Sequence, residues 1–332
     1  MSPTEHSPGG TPPPTPSAPP TTTRYDAICI GESMALVAPD PPAPLARGGT
    51  MRLDVAGAES TVASYLAQLG ARVAWVSRVG DDPLGRLVRD RTAARGVDVS
   101  HVDVDPTAPT GVFFKDPGED TTVHYYRAGS AASRLGPELF ARPAFAGCRV
   151  VHLSGITPAL SASCAALVDT ALTGRPLPDA VYSFDVNHRP ALWSAGEASP
   201  VLARLADRAD VTSVGLDEAA RLWGTRTPDE VRALLPGPRT LVVKDGAVGV
   251  TSYQAGRVTF APADPVDVVE PVGAGDAYAA GYLYGLLTGL TEPARLRLGH
   301  LVAGAALRIP TDVATLTDTG SLLHHARTGG TP

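Results

Sequence analysis

The run Glu270-Pro271-Val272-Gly273-Ala274-Gly275-Asp276-Ala277-Tyr278-Ala279-Ala280-Gly281, leading into an apolar segment through Leu290, holds the residue types most able to do chemistry. Gly273, Ala274 and Gly275 are small enough to leave the first backbone N–H groups of a following helix uncovered. The helix dipole adds partial positive charge there, so the turn can hold a phosphate or a developing oxyanion. Asp276 falls in the first helical turn, where the same dipole favours the ionised carboxylate that a general base for a hydroxyl group needs. A plainer reading makes the two glycines a tight turn and Asp276 an N-cap. A dinucleotide fingerprint fits poorly, because its third glycine would fall at Tyr278 and the run lies near the C-terminus. No Gly-x-x-x-x-Gly-Lys-Ser/Thr occurs in the chain.

Elements that could position such a turn alternate along the chain. Apolar β-rich runs at 26–30, 73–76, 150–153, 181–184, 210–212 and 241–243 are separated by helical segments, including 60–69 and 83–95. Near-continuous apolar strands alternating with helices predict a doubly wound α/β domain with a mostly parallel sheet covered on both faces. Two stretches break the pattern. Residues 50–53 and 111–127 read as strands without helices, and Val112-Phe113-Phe114 and Thr122-Val123-His124-Tyr125-Tyr126 read as a hairpin across Pro117-Gly118. Together they predict a small β-sheet lid, drawn from about 34–54 and 111–127, over a site at the strand C-termini.

Composition narrows the class. A chain of 332 residues, 43% apolar, can bury a large core. A formal charge of −6 offers no general attraction to nucleic acid or an anionic membrane, so an anionic ligand must be met by local donors. Cys29, Cys148 and Cys164 lie in apolar stretches and cannot make a disulfide framework, which fits a reducing, cytoplasmic setting. No apolar run approaches the roughly 20 residues a membrane span needs. Residues 1–23, almost all Pro, Ser, Thr and Gly, are expected to be a disordered tail, 24–320 a single domain, and 321–332 a C-terminal tail.

These residues also carry a family resemblance. The run Val272 to Gly281 resembles the C-terminal signature of the ribokinase-like (carbohydrate and purine) kinases. Gly57-Ala58-Glu59-Ser60-Thr61-Val62-Ala63, with Val79-Gly80-Asp81-Asp82-Pro83-Leu84-Gly85, resembles their N-terminal signature. Three stretches, 125–133, 152–161 and Phe184-Asp185-Val186-Asn187-His188-Arg189-Pro190, are similar to the 2-keto-3-deoxygluconate kinases within that family.

The resemblance implies ATP- and Mg²⁺-dependent phosphorylation of the terminal hydroxyl of 2-keto-3-deoxygluconate. Asp276 is then the base, and Gly273, Ala274 and Gly275 form the anion hole. It implies substrate contacts at Gly57, Tyr125, Tyr126, Arg127, Arg189 and Asp312, and nucleotide contacts at Asn187, Lys244, Gly246 and Gly249 as well as Gly273 and Gly275. Glu218 is implied to act on Mg²⁺ indirectly. The segment after the first strand, Gly31-Glu32-Ser33-Met34, lacks the aspartate that many fructokinase-like relatives carry, which suggests a less acidic pocket. Thr61, Phe113, Gly215 and His300 depart from the family pattern and bear on substrate identity. A monovalent cation is left unassigned. The apolar 112–114 run would suit a homo-oligomer interface through the lid. A kinase for keto-deoxygalactonate, fructose, ribose or a nucleoside, or a non-catalytic sugar sensor, stays open.

Overall fold

In the computed structural model, residues 24–118, 122–311 and 313–329 are described. The strands are β1 (Ala27–Ile30), β2 (Met34–Pro39), β3 (Met51–Ala56), β4 (Val73–Gly80), β5 (Val102–Asp105), β6 (Val112–Asp116), β7 (Thr122–Tyr126), β8 (Val150–Ser154), β9 (Val181–Asp185), β10 (Val211–Gly215), β11 (Thr240–Asp245), β12 (Gly249–Gln254) and β13 (Arg257–Pro262). The helices are α1 (Ala58–Gln68), α2 (Pro83–Ala93), α3 (Ala162–Asp169), α4 (Ala195–Ala206), α5 (Leu216–Trp223), α6 (Pro228–Leu234), α7 (Ala274–Leu287), α8 (Glu292–Leu307) and α9 (Thr319–Thr328).

Nine strands form one sheet in the order β13-β12-β11-β10-β9-β8-β1-β4-β5, parallel from β11 through β5 and closed at the other edge by the antiparallel meander β11-β12-β13. Strand alternation divides the core between its two faces. Ile28 and Ile30 join one cluster with Leu167 of α3, Leu202 of α4 and Val231 of α6. Ala27 and Cys29 join the other with Leu66 of α1, Tyr278 of α7 and Leu298 of α8. A strand buried on both faces has no polar side to alternate with, which is why these runs are apolar throughout.

A second sheet of four strands, ordered β3-β2-β6-β7, stands apart from the first. Its inner face buries Met34, Leu36, Ala56 and Phe113. The motif from Gly80 to Gly85 serves this architecture. Asp82 caps α2 by accepting from the Gly85 amide at 2.7 Å, Pro83 occupies the first turn, and a Cβ on Gly85 would sit 2.3 Å from the Gly80 carbonyl oxygen.

The segment expected to be a C-terminal tail differs. Thr319–Thr328 is helical, capped by the Asp318 side chain on the Ser321 amide at 2.8 Å, and its buried Ala326 packs into the α8 side of the core. Leu322, Leu323 and Ala326 are too few and too closely spaced to give a strong periodic signal, so tertiary packing made the helix.

Candidate active site

A hollow of about 510 Å³ lies between the smaller sheet and the C-terminal ends of β1, β9, β10 and β11. Parallel α/β sheets place ligands at this end because the loops leaving each strand converge there.

Gly273 caps α7 with φ of 82°, a left-handed conformation that glycine adopts without strain. The helix therefore starts abruptly at the cavity wall, with Gly273, Gly275 and Asp276 lining it and Ala274 between them. A Cβ on Gly275 would lie 3.5 Å from the Lys244 Nζ, so the ammonium sits against the same helix end. Backbone amides, a helix dipole and a lysine are thus focused on one point.

Asp276 occupies the third helical position rather than the cap. Its Oδ1 lies 3.5 Å from the Asn187 Nδ2, and Asn187 is held at φ of 39°. The dipole does not leave this carboxyl strongly ionised as the sequence suggested. Burial first, then the charge of Asp185, push it up to about 7, while Arg189 and Lys244 pull it down.

Lys244, at the end of β11, donates to both carboxylate oxygens of Asp185, at 3.1 and 3.3 Å, and Ser213 donates to Asp185 at 2.8 Å. Burial alone would lower the lysine, but Asp185, Glu218 and Asp276 outweigh it and hold it above its ordinary value. Glu218 accepts from the His188 and Gly215 amides, tying the loops after β9 and β10 together. Burial, then Asp185, push its carboxyl up, with Lys244 and these amides opposing.

At the opposite wall, Gly57 starts α1, and a Cβ there would sit 2.4 Å from the Glu32 carbonyl oxygen. Arg127 is buried and ion-paired to Glu32 by two of its nitrogens, and it lies 5.6 Å from the centre of the Tyr125 ring. Arg189 is exposed at the cavity edge. Among the described residues no group of three His, Cys, Asp or Glu side chains is placed to hold a metal ion.

Not all of the expected residues line the cavity. Tyr125 lines the cavity but Tyr126, its neighbour on β7, points to the outer face, 65% exposed, against Phe114. Strand alternation makes that outcome unavoidable. Gly246 and Gly249 lie outside the cavity lining. The first turns the β11–β12 hairpin at φ of 48°, and the second packs where a Cβ would meet the Ala261 carbonyl oxygen at 2.4 Å. Asp312 lies outside the described residues. The pocket is not poor in acid either, since Glu32 and Asp185 both line it.

Glu32 and Asp185 line the cavity but were not among the expected site residues. The signal available was an acidic residue closing an apolar strand, which becomes meaningful only once a basic partner is known. Lys115, also unforeseen, crosses from the smaller sheet to Glu270 at 3.1 Å, just before the Gly273 turn.

Known proteins resemble the whole of this arrangement. The model of the pfkB family carbohydrate kinases matches residues 25–315. The 2-dehydro-3-deoxygluconokinase of Thermoproteus tenax is 38% identical over 291 residues, covering 84% of this chain and 87% of that protein. The 2-dehydro-3-deoxygluconokinase of Bacillus subtilis (strain 168) is 34% identical over 298 residues, covering 87% and 92%. The crystal structure of the PfkB protein from Polaromonas sp. JS666 superposes with a TM-score of 0.78 at 34% identity, over 87% of this chain and 98% of that one. A match spanning both sheets, the α7 turn and the cavity between them places the chain in the pfkB family of carbohydrate kinases.

Proposed function

We propose that the protein phosphorylates the terminal hydroxyl of 2-keto-3-deoxygluconate (2-dehydro-3-deoxygluconate) with ATP, giving the 6-phosphate. The observation that carries the reading is the meeting, in one cavity, of Asp276 at the α7 N-terminus, Lys244 against Gly275, and two arginines, Arg127 and Arg189. The two relatives described above share this acceptor in their names.

Asp276 takes the proton of the attacking hydroxyl. A base near neutrality balances being ionised against holding the proton once transferred. The amides at the Gly273-Ala274-Gly275 turn and the Lys244 ammonium meet the charge on the transferring phosphoryl group, where fixed dipoles need no reorganisation. Asn187 keeps Asp276 oriented toward the cavity. Arg127 at the cavity wall meets the substrate carboxylate, with Arg189 at the cavity edge as a second cation, while Tyr125 and Gly57 shape the sugar side.

Magnesium, when bound with ATP, supplies neutralisation of the phosphate charge. The carboxylate nearest in character is Glu218, but both its oxygens already accept backbone amides. This donor set fits a role through water rather than direct ligation, and the ion's main ligands would be the nucleotide's own phosphates. The smaller sheet serves as the lid, and 24–320 as the kinase domain.

A panel of acceptors assayed by ADP release tests the reading. Highest kcat/KM on 2-keto-3-deoxygluconate supports it, and faster turnover on fructose or ribose than on any keto-deoxy acid overturns it.

A further inference from the structure

The guanidinium expected to greet the substrate carboxylate is already engaged. Glu32 Oε2 accepts from Arg127 Nε at 2.6 Å and also contacts Nη2, while Glu32 Oε1 accepts from the Ser130 hydroxyl at 2.5 Å. The side chains of Glu32 and Arg127 are only 1% and 7% exposed. Room for the carboxylate is built in: a Cβ on Gly111 would come within 2.9 Å of Glu32 Oε1. Tyr125 lies against the guanidinium face and is itself backed by Phe113, with ring centres 5.6 Å apart. Arg127 Nη1 makes no hydrogen bond among the described residues.

A guanidinium offers two edges that can grip an oxyanion in parallel. Here the Nε/Nη2 edge is taken, so only the Nη1/Nη2 edge is left for a ligand in the cavity that Arg127 lines. The buried pair is also neutral as a unit, so it recognises by direction rather than by net charge.

On the footing of the sugar-acid kinase activity above, we propose that Glu32 is a positioning residue for substrate selection. It locks Arg127 in one orientation, with a single edge presented to the sugar acid. Without it the arginine keeps its charge but loses its aim, and the anionic substrate is met by a side chain free to take other rotamers. Glu32 and Arg127 come from the loop after β1 and the end of β7, so the pair also joins the larger sheet to the smaller one at the cavity wall.

The test is a double-mutant cycle on the full chain with Glu32→Gln, Arg127→Met and the pair combined, measured on 2-keto-3-deoxygluconate at saturating ATP. We expect Glu32→Gln to raise substrate KM about tenfold while kcat changes less than about threefold, a loss of binding rather than of chemistry. In the Arg127→Met background the same Glu32 change should move KM less than about twofold, since there is nothing left to aim. Glu32→Asp, which keeps the charge on a shorter arm, should fall between wild type and Glu32→Gln. Titration of ATP binding checks that each variant is folded. Should Glu32→Gln leave KM unchanged, or raise it equally with and without Arg127, the proposal is overturned. Failure of the underlying activity looks different: wild type itself would not turn over any keto-deoxy acid.

Discussion

Asp276 combines a helix N-terminus, which favours its charge, with burial beside Asp185, which opposes it, and the opposition wins. Replacing it with Asn should lower kcat by about 10²–10⁴-fold in an ADP-release assay with little change in ATP binding. A base must be ionised to act, so kcat/KM should rise with pH through about 7 and level off above it. Lys244→Met removes a charge that lowers Asp276, so the same limb should move to higher pH; a limb that stays put would separate Lys244 from the base. Linkage gives a further check. The folded-state value lies above the ordinary 3.8, so the fold keeps a proton that the unfolded chain has lost, and stability falls as pH rises across that window. Asp276→Asn should therefore melt a few degrees (~3–6 °C) above wild type at pH 8 and lose the advantage below about pH 4. Residues of this local kind are legible in sequence because turn, dipole and carboxylate are contiguous. Glu32 and Asp185 were not, because their partners Arg127 and Lys244 lie 95 and 59 residues further along.

Helix α7 carries both the proposed base, Asp276, and the proposed anion hole, so its seating would decide their aim. It packs on α8 so closely that a Cβ on Gly281 would lie 2.6 Å from the Leu298 carbonyl oxygen, and one on Gly299 would lie 2.7 Å from the Tyr278 ring. Gly281→Val must push the two helices apart. It should cost about 1–3 kcal/mol in urea unfolding and reduce kcat as well, because the displacement carries Asp276 with it. Wild-type stability in that variant would show that the helices give way freely. The strands were readable from sequence since burial on both faces leaves a continuous apolar run, as in β8 and β9. The hairpin of β6 and β7 was readable too. Which of its two tyrosines faces the cavity follows from its pairing with β2, a long-range register that local sequence does not carry. Helix α9 escaped for a similar reason, since its place depends on packing against α8.

At the scale of the whole molecule, a chain of net charge −6 places several cations around one hollow and pairs most of them internally. Lys244 leans on Asp185, Arg127 on Glu32, and Lys115 on Glu270, leaving Arg189 at the edge. On the proposed activity, such pairing meets the anionic ligands through directed hydrogen bonds rather than through net charge. Residues 1–23 are almost all Pro, Ser, Thr and Gly and include none of the proposed site residues, so their removal should leave kcat and both KM values within about twofold. The measurement closest to the central claim is ADP release by wild type and Asp276→Asn, side by side, on 2-keto-3-deoxygluconate, 2-keto-3-deoxygalactonate, fructose and ribose. Wild type should show kcat/KM on 2-keto-3-deoxygluconate at least about tenfold above either neutral sugar and form the 6-phosphate, and the variant should lose about 10²-fold or more. Faster turnover of a neutral sugar, or a variant as active as wild type, would contradict it.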